Sequence, residues 1–535
     1  MPLLIKRLLI KARSFITRNA SNMLLVIIIV VLLVAFYFYG IRNHDYWKKK
    51  GVPYEEPMFL FGSNLKHIMD GVSVSDRFAH LYRSYPHEKY VGFYEGSDPA
   101  LLLRDPKMIK RVLQGDFKSF HYRGFHPDRK NVEPLMRNLF FADGDIWKLL
   151  RQKMTPMFTS GKLKAMFALI TERAERLTVI AEELARTRDE VDVRDLVARY
   201  TTDVIGAIGF GIKSEALDAE NSEVRKLSKR IFAVTKRDFL VSLVKRMFPV
   251  LCTSLNFLSP EIERTTTFLA TQSMAQRKYK PSGRNDFIDL LLELRQKEVI
   301  VGDSLSETNA DGSPARVELQ VDDTLIAAQV FVLFAAGYET SSHVSSFLMH
   351  TLAYHPEKQA QCQREIDEVL KANNGKLSYD GLKEMKYLEM CLKEAMRLLP
   401  SPGFLARRSV SKYTFPETNV TIDENMLIII SIDALHNDEQ YFERPSEFWP
   451  ERFADSDSKF EKDLYMPFGA GPRACIGERL GLLQSMAAVA SILSKFTLSP
   501  SKSTLEKPII DKNSVIAQNI LGGLPLSLKQ RNKIE

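Results

Sequence analysis

The amino-acid sequence predicts a mainly α-helical domain with small β-sheets, placed behind one membrane-spanning helix. Residues 23–39 carry no charged side chain, and most of the chain after residue 57 repeats apolar residues at helical spacing. Strand-like runs are few and short. With 535 residues, 45% hydrophobic and 26% charged, the composition is that of a globular protein and excludes disordered, collagen-like and low-complexity classes.

The N-terminal apolar run predicts a membrane anchor. Met23–Tyr39, extended by Gly40 and Ile41, reaches the ~17 to 25 residues of a bilayer-spanning helix. A cleaved secretory signal is the alternative, but no A-x-A-like cleavage site follows the run. We therefore divide the chain into a basic N-terminal extension (1–22), a transmembrane anchor (23–41), a linker (42–57) and one domain (58–535).

The charge distribution also favours a membrane over a nucleic-acid partner. The net charge is +8, yet the first 50 residues hold nine basic side chains and one acid, so the rest of the chain is formally neutral. Lys48, Lys49 and Lys50 follow the anchor and predict a cytosolic domain. Residues 1–22 resemble a mitochondrial transit peptide in composition, which is the alternative localisation.

Hydrophobic periodicity assigns the secondary structure. Helices are predicted at 161–187, 192–211, 222–248, 260–279, 285–298, 357–371 and 379–399. Strands are predicted at Tyr90–Phe93, Leu101–Leu103, Tyr413–Phe415, Val420–Ile422 and Met426–Ile432. The polar stretch 302–318 contains Gly and Pro, which predicts a loop.

The cysteines point to a reducing compartment and to one reactive thiol. Four cysteines without a C-x-x-C pair fit neither a disulfide framework nor a zinc site. Cys475 follows a loop rich in glycine and precedes an apolar helical pattern. The dipole of a helix amino terminus favours a thiolate, and a thiolate is a suitable iron ligand. A buried structural cysteine is the alternative.

The residues around Cys475 match the spacing F-x-x-G-x-R-x-C-x-G, which arises by chance on the order of once per million positions. This motif resembles the haem-binding signature of the cytochrome P-450 superfamily. The resemblance implies that Cys475 is the proximal thiolate ligand of the iron, that Arg473 pairs with a haem propionate, and that Phe468 packs beside the ligand.

A second motif follows an apolar helix. Residues 324–338 are uncharged and too short to span a bilayer, which predicts a buried helix that continues into Glu339 and Thr340. The small residues Ala336 and Gly337 are expected to open one helix face. The stretch resembles the family pattern A-G-x-E-T-S, which implies that Glu339 and Thr340 relay protons to bound dioxygen. The alternative is a Thr340 hydroxyl bonded to its own helix.

Two further motifs resemble those of the family. Glu394 and Arg397 share one helix face, and Arg452 lies in a P-x-x-F-x-P-x-R-F segment. The resemblance implies a buried structural triad of these three residues. It also implies that haem propionates are bound by Trp147, Arg151 and Arg407, although Arg408 beside Arg407 is a competing candidate.

Three segments closely resemble insect microsomal members of the drug-oxidising branch of the family, namely Tyr46–Pro53, Thr155–Leu163 and Ala336–Ser342. The resemblance implies one haem b domain that uses O2 and electrons from NADPH, delivered by NADPH-cytochrome reductase with cytochrome b5 as a further donor. The expected protein is an endoplasmic reticulum monooxygenase of apolar xenobiotics, such as plant toxins or insecticides. Alternatives are oxidation of an endogenous lipid or hormone, a haem-thiolate isomerase or dehydratase that does not use O2, and a membrane haem or lipid sensor.

Overall fold

The computed structural model describes residues 23–531 apart from 126–131, 212–216, 218–221, 248–254, 285, 456–463 and 515–516. The predicted N-terminal extension 1–22 and Cys252 lie outside the described residues. The chain divides into two compact units, one from residues 1–70 and 92–100 and one from residues 71–91 and 101–535.

The first unit contains a long apolar helix. Its helices are α1 (Met23–Ile41), α2 (Tyr46–Lys50) and α3 (Leu65–Asp70). Helix α1 has a mean hydropathy of 3.0 and exposed side chains, so it is long and apolar enough to span a membrane, as predicted. The segment predicted as a linker is folded, because Trp47 on α2 is fully buried and its indole N–H donates to the carbonyl oxygen of Phe93 (3.1 Å).

Helices make up most of the second unit. They are α4 (Val74–Ser84), α5 (Pro106–Lys110), α6 (Gly144–Met154), α7 (Ser160–Thr187), α8 (Val193–Ile205), α9 (Glu223–Phe232), α10 (Lys236–Met247), α11 (Pro260–Gln276), α12 (Phe287–Arg295), α13 (Asp323–Ala353), α14 (Pro356–Ala372), α15 (Tyr379–Glu384), α16 (Lys386–Leu398), α17 (Ile432–His436) and α18 (Glu478–Lys495). The mainly α-helical class is therefore confirmed.

Helix α13 lies in the core of this unit. It is apolar around most of its circumference, and 67% of its most apolar window is buried, which identifies it as a core helix. Its first turn is capped by the Asp322 carboxylate, which accepts the N–H of Leu325 (2.6 Å). Helices α8 and α18 pack along it. The predicted buried helix at 324–338 is confirmed and extends to Ala353.

The strands are short, as predicted. They are β1 (Tyr90–Glu95), β2 (Asp98–Leu103), β3 (Val191–Asp192), β4 (Val299–Thr308), β5 (Pro314–Gln320), β6 (Phe404–Arg408), β7 (Tyr413–Thr414), β8 (Thr421–Ile422), β9 (Leu427–Ser431), β10 (Phe496–Pro500) and β11 (Pro525–Gln530). Strand β9 lies between β2 and β6 and pairs antiparallel with β6, with Arg407 opposite Ile428. Strand β11 lies between β10 and β3.

The prediction of a loop at 302–318 is wrong. Strands β4 and β5 form an antiparallel hairpin that pairs Val299 with Gln320 and Asp303 with Arg316. Most side chains along the outer half of the hairpin are exposed, so the sequence lacks the apolar alternation that normally marks a strand.

Two predicted helices are each divided in two. The stretch 222–248 forms α9 and α10, because Thr235 and Asp238 cap α10 reciprocally through backbone N–H groups (3.0 and 3.2 Å). The stretch 379–399 breaks before α16. There the Glu365 carboxylate accepts the N–H groups of Tyr387 and Leu388 (2.8 and 2.9 Å).

Candidate functional site

Cys475 lies in a constrained loop between a 3₁₀ turn at Gly471–Arg473 and α18. Its backbone N–H donates to the carbonyl oxygen of Phe468 (2.8 Å). Gly471 has a φ of +72°, and a Cβ there would lie 1.8 Å from the carbonyl oxygen of Leu113, so glycine is required. The hydrogen bond and the close backbone contact together fix the shape of the loop.

The surroundings of Cys475 shift the pKa of its thiol in both directions. Its side chain has accessible surface, yet desolvation by the surrounding protein raises the pKa of the thiol. An N–H donated by Gly477 and the positive charges of Arg123 and Arg151 act in the opposite direction and lower that pKa. A metal ion bound to the sulfur would deprotonate it.

Arg473 is buried beside this loop. Its guanidinium donates to the carbonyl oxygens of His121 (3.0 Å) and Ala142 (2.9 Å). It also pairs with the Asp143 carboxylate (3.0 Å) and lies 4.2 Å from the centroid of the Trp147 ring. The structure thus brings together Arg473 and Trp147, two of the predicted cofactor-binding residues.

Three further guanidinium groups belong to this arginine cluster, which we define as Arg123, Arg151, Arg407 and Arg473. Arg123 donates to the carbonyl oxygen of Arg473 (3.1 Å), and Arg151 donates to that of Ala474 (2.9 Å). Desolvation lowers the pKa of Arg123 to about 10 and that of Arg407 to about 9. Among the described residues, the carboxylate that contacts this cluster is Asp143, so its positive charge is mostly uncompensated.

Arg407 and Arg408 differ sharply in their surroundings. Arg407 is buried, its Nη1 donates to the carbonyl oxygen of Ala406 (2.8 Å), and its Nε has no hydrogen-bond partner among the described residues. Arg408 instead donates to the carbonyl oxygens of Gly124 (3.0 Å) and Asn425 (2.9 Å). Of these two neighbours, Arg407 is therefore the one with an unused buried donor, a property that its Nε shares with Arg123 Nε in the same cluster.

Glu394, Arg397 and Arg452 form a buried ionic triad. Both Glu394 oxygens accept from Arg397 (2.8 and 2.9 Å) and from Arg452 Nε (both 3.1 Å). Glu394 also accepts the N–H of Trp449 (3.0 Å). Glu183 and Glu261, which have the same sequence spacing to an arginine, are exposed. The structure thus brings together the three residues predicted to form the triad.

Glu339 and Thr340 make separate contacts on α13. The Glu339 carboxylate is buried and forms an ion pair with Arg194 of α8, which also donates to the Ser342 hydroxyl (2.7 Å). The Thr340 hydroxyl donates to the carbonyl oxygen of Ala336 (2.7 Å). This hydrogen bond matches the alternative prediction for Thr340, in which its hydroxyl bonds to its own helix.

The expectation that Gly337 opens a helix face is wrong. A Cβ at Gly337 would lie 2.5 Å from Cδ1 of Ile205, so the missing side chain allows close packing of α8 against α13. Ala336 retains exposed surface. The small residue that leaves space on α13 is therefore Ala336.

Sequence reasoning missed Arg123, Asp143 and Arg194. Asp143 precedes α6, where an N-terminal cap is common, but its carboxylate accepts the backbone N–H of Arg123 (2.7 Å) and pairs with Arg473. Arg123 and Arg194 match none of the motifs described above. Only the tertiary contacts of these two residues identify them.

Comparison with known proteins agrees with these motifs. The sequence model of the cytochrome P450 family matches residues 52–524. The chain is 38% identical to cytochrome P450 6B6 of Helicoverpa armigera over 473 residues, which are 88% of this chain and 91% of that protein. It is 36% identical to cytochrome P450 6B5 of Papilio glaucus (88% and 97%) and 33% identical to cytochrome P450 6d3 of Musca domestica (87% and 91%). The matched region spans the Cys475 loop, the arginine cluster and the triad, and the chain belongs to the cytochrome P450 family.

Proposed function

We propose that this cytochrome P450 monooxygenase inserts one oxygen atom of O2 into apolar foreign compounds such as plant toxins or insecticides. Electrons are proposed to come from NADPH through a separate NADPH-cytochrome reductase, with cytochrome b5 as a further donor. The observation that carries the proposal is the accessible, desolvated Cys475 thiol beside the arginine cluster.

Haem b fits the residues of this site. Its two propionates supply the negative charge that the arginine cluster lacks, and Arg407 Nε is a buried donor that needs an acceptor. We propose that Cys475 ligates the iron with Phe468 beside it, and that the propionates are bound by Trp147, Arg151, Arg407 and Arg473. A haem bound in this way supplies activation of dioxygen, which a thiolate ligand favours.

Glu339 and Thr340 are proposed to hold and transfer protons on the α13 side of the site. The Thr340 hydroxyl uses its hydrogen in the bond to Ala336, so its oxygen retains the capacity to accept a hydrogen bond from water. The ion pair with Arg194 fixes the neighbouring Glu339 carboxylate. This arrangement places a carboxylate held by Arg194 and a water-binding hydroxyl on consecutive residues.

A cluster of aromatic side chains supports the proposal that the substrate is apolar. Phe125 and Phe140 stack with 5.6 Å between ring centroids, and Phe141 meets both rings edge-on (5.7 and 4.9 Å). They belong to residues 116–142, where the family resemblance implies substrate contacts, and apolar ligands need such a lining. An endogenous lipid or hormone is the alternative substrate. A turnover screen with the reductase, read by mass spectrometry for added oxygen, distinguishes the two classes.

Substitution of Thr340 tests the proposed reaction. Thr340→Ala is expected to retain haem and substrate but to form about tenfold less product per NADPH, because general acid assistance contributes about 10²- to 10⁴-fold. The measurements are NADPH consumed, peroxide formed and product made. Thr351→Ala is the matched control, since this hydroxyl donates to the carbonyl oxygen of Phe347 (2.8 Å) in the same helix.

Three outcomes would contradict parts of the proposal. Unchanged product per NADPH in Thr340→Ala would make Thr340 a structural helix hydroxyl. Product formed without NADPH or O2 would favour an isomerase or dehydratase. A reduced protein that binds CO but consumes no NADPH with any substrate would favour the sensor.

A further inference from the structure

His436 is a buried residue between the ionic triad and the cysteine loop. It is the last residue of α17 and is fully buried. Its carbonyl oxygen accepts a hydrogen bond from Arg397 Nη1 (2.8 Å), so its backbone is tied to the triad. Its ring stacks on Tyr465 with 5.3 Å between centroids and meets Phe442 edge-on (5.9 Å).

The imidazole makes a directed contact with the chain that leads to Cys475. His436 Nε2 accepts the backbone N–H of Met466 (3.0 Å). The carbonyl oxygen of Met466 in turn accepts the N–H of Gly469 (2.9 Å), and that of Phe468 accepts the N–H of Cys475 (2.8 Å). A short series of hydrogen bonds therefore connects the triad, His436 and the backbone of Cys475.

The contact requires a neutral imidazole. A ring nitrogen accepts a hydrogen bond only when it carries no proton, so the ring proton resides on Nδ1. Desolvation lowers the pKa of His436 to about 3, and the charge of Arg397 acts in the same direction. The imidazole is therefore neutral throughout the physiological range, and its Nε2 is always available to Met466.

We propose that His436 is a positioning residue that anchors the Met466 end of the cysteine loop and thereby keeps Cys475 bound to iron as a thiolate. The inference rests on the proposed role of Cys475 as the haem ligand. A residue that merely filled the core would need the size and apolarity of the ring but no acceptor at Nε2.

Two amide variants of the holoenzyme separate these roles. The side-chain amide of His436→Gln reaches the position of Nε2, whereas the shorter amide of His436→Asn reaches only that of Nδ1. In the reduced CO complex, His436→Asn is expected to lose the thiolate-ligated Soret band about tenfold faster than wild type, because a buried N–H is left unpaired. His436→Gln should stay within about twofold of wild type. Haem content measured in parallel distinguishes ligand loss from haem loss.

His350→Asn is the matched control. His350 is also buried, and its Nε2 lies 3.1 Å from the carbonyl oxygen of Glu506, away from the cysteine loop. The His350→Asn variant should lose the thiolate-ligated Soret band at the wild-type rate. Equal decay in His436→Gln and His436→Asn, or equal loss in His350→Asn, would overturn the positioning role.

Hydrogen exchange of the wild-type holoenzyme tests the contact without any substitution. The Met466 amide is expected to exchange at least about tenfold more slowly than an unprotected loop amide. Exchange at the unprotected rate would overturn the proposal. Cys475→Ala tests the underlying ligation separately. If that variant keeps the thiolate-ligated band, the ligand assignment fails, whereas a His436 result alone refutes only the positioning role.

Discussion

Arg407 and Arg408 show how adjacent side chains acquire different roles. In β6 successive side chains point to opposite faces, so Arg407 enters the protein interior and Arg408 lies nearer the surface. Burial of a guanidinium without its full set of acceptors costs free energy, and a bound anion would offset that cost. The position of the two residues in the strand therefore supports Arg407 rather than Arg408 as the proposed propionate partner.

Arg407→Ala is expected to accelerate haem loss by roughly ten- to a hundredfold, because a hydrogen bond to a charged group contributes about 1.5–3 kcal/mol. The measurement is the rate of haem transfer to an excess of apomyoglobin. Arg408→Ala is the control and should stay close to wild type. Equal acceleration by both variants would contradict the assignment.

The buried His343 makes stability depend on pH. Desolvation lowers its pKa to about 3, whereas an unfolded histidine titrates near 6.5. Between these values the unfolded chain binds a proton that the folded chain does not, so the free energy of unfolding falls as pH falls, by at most about 1.4 kcal/mol per pH unit.

We expect His343→Gln to show a shallower loss of stability than wild type between about pH 6.5 and pH 5. Urea unfolding at a series of pH values measures the slope. The exposed residue His80 provides the control, since His80→Gln should retain the wild-type slope. If the free energy of unfolding of His343→Gln depends on pH as steeply as that of wild type, His343 does not contribute to the pH dependence.

At the scale of elements, the triad joins α16 to the turn that carries Arg452. The single carboxylate of Glu394 accepts hydrogen bonds from three groups: the side chains of Arg397 and Arg452 and the backbone N–H of Trp449. Arg397 further donates to the carbonyl oxygens of His436 and Pro445 (both 2.8 Å). The elements around the cysteine loop are thus held by charge-assisted bonds in a buried environment.

Glu394→Ala or Arg397→Ala is expected to reduce the free energy of unfolding by about 3–5 kcal/mol and to yield little haem-bound protein, because one buried charge remains unpaired. Denaturant unfolding and haem content measure the effect. Glu183→Ala and Glu261→Ala remove exposed carboxylates and should be nearly silent. A comparable loss of stability and haem content in Glu183→Ala and Glu261→Ala would show that the triad is not what stabilises the site.

At the scale of the whole molecule, α1 is long and apolar enough to span a membrane. An exposed helix of 19 residues with a mean hydropathy of 3.0 suits a bilayer, and Lys48–Lys50 follow it as a positive flank. We propose an endoplasmic reticulum anchor with the catalytic domain in the cytosol. Mitochondrial import through residues 1–22 is the alternative.

Glycosylation mapping tests this topology. An acceptor site placed before Met23 should be modified in microsomes, whereas one placed after Gly51 should not, because the lysine flank retains the following chain in the cytosol. The reverse pattern would invert the orientation. Import into mitochondria with removal of residues 1–22 would contradict the proposed endoplasmic reticulum localisation and support the mitochondrial alternative.

Local sequence patterns were sufficient for the N-terminal apolar helix, the mainly helical class, the buried helix and the cysteine loop. Each depends on neighbouring residues, through an uncharged run, helical periodicity or fixed spacing. They failed at 302–318, where an exposed hairpin has little apolar alternation, and at Met385, where a carboxylate from another helix caps α16. The hairpin is local in sequence but lacks the apolar pattern of a strand, whereas the contact that starts α16 comes from another helix.

The sequence by itself determined the family motifs, and therefore the candidates Cys475, Thr340 and the triad. Only the tertiary structure decided that Arg407 rather than Arg408 is buried at the site, that Arg194 holds Glu339, and that Gly337 admits Ile205. The physical reason is that burial and ion pairing depend on distances through space. Residues 145 positions apart in the chain, such as Arg194 and Glu339, share no periodicity that could predict their contact.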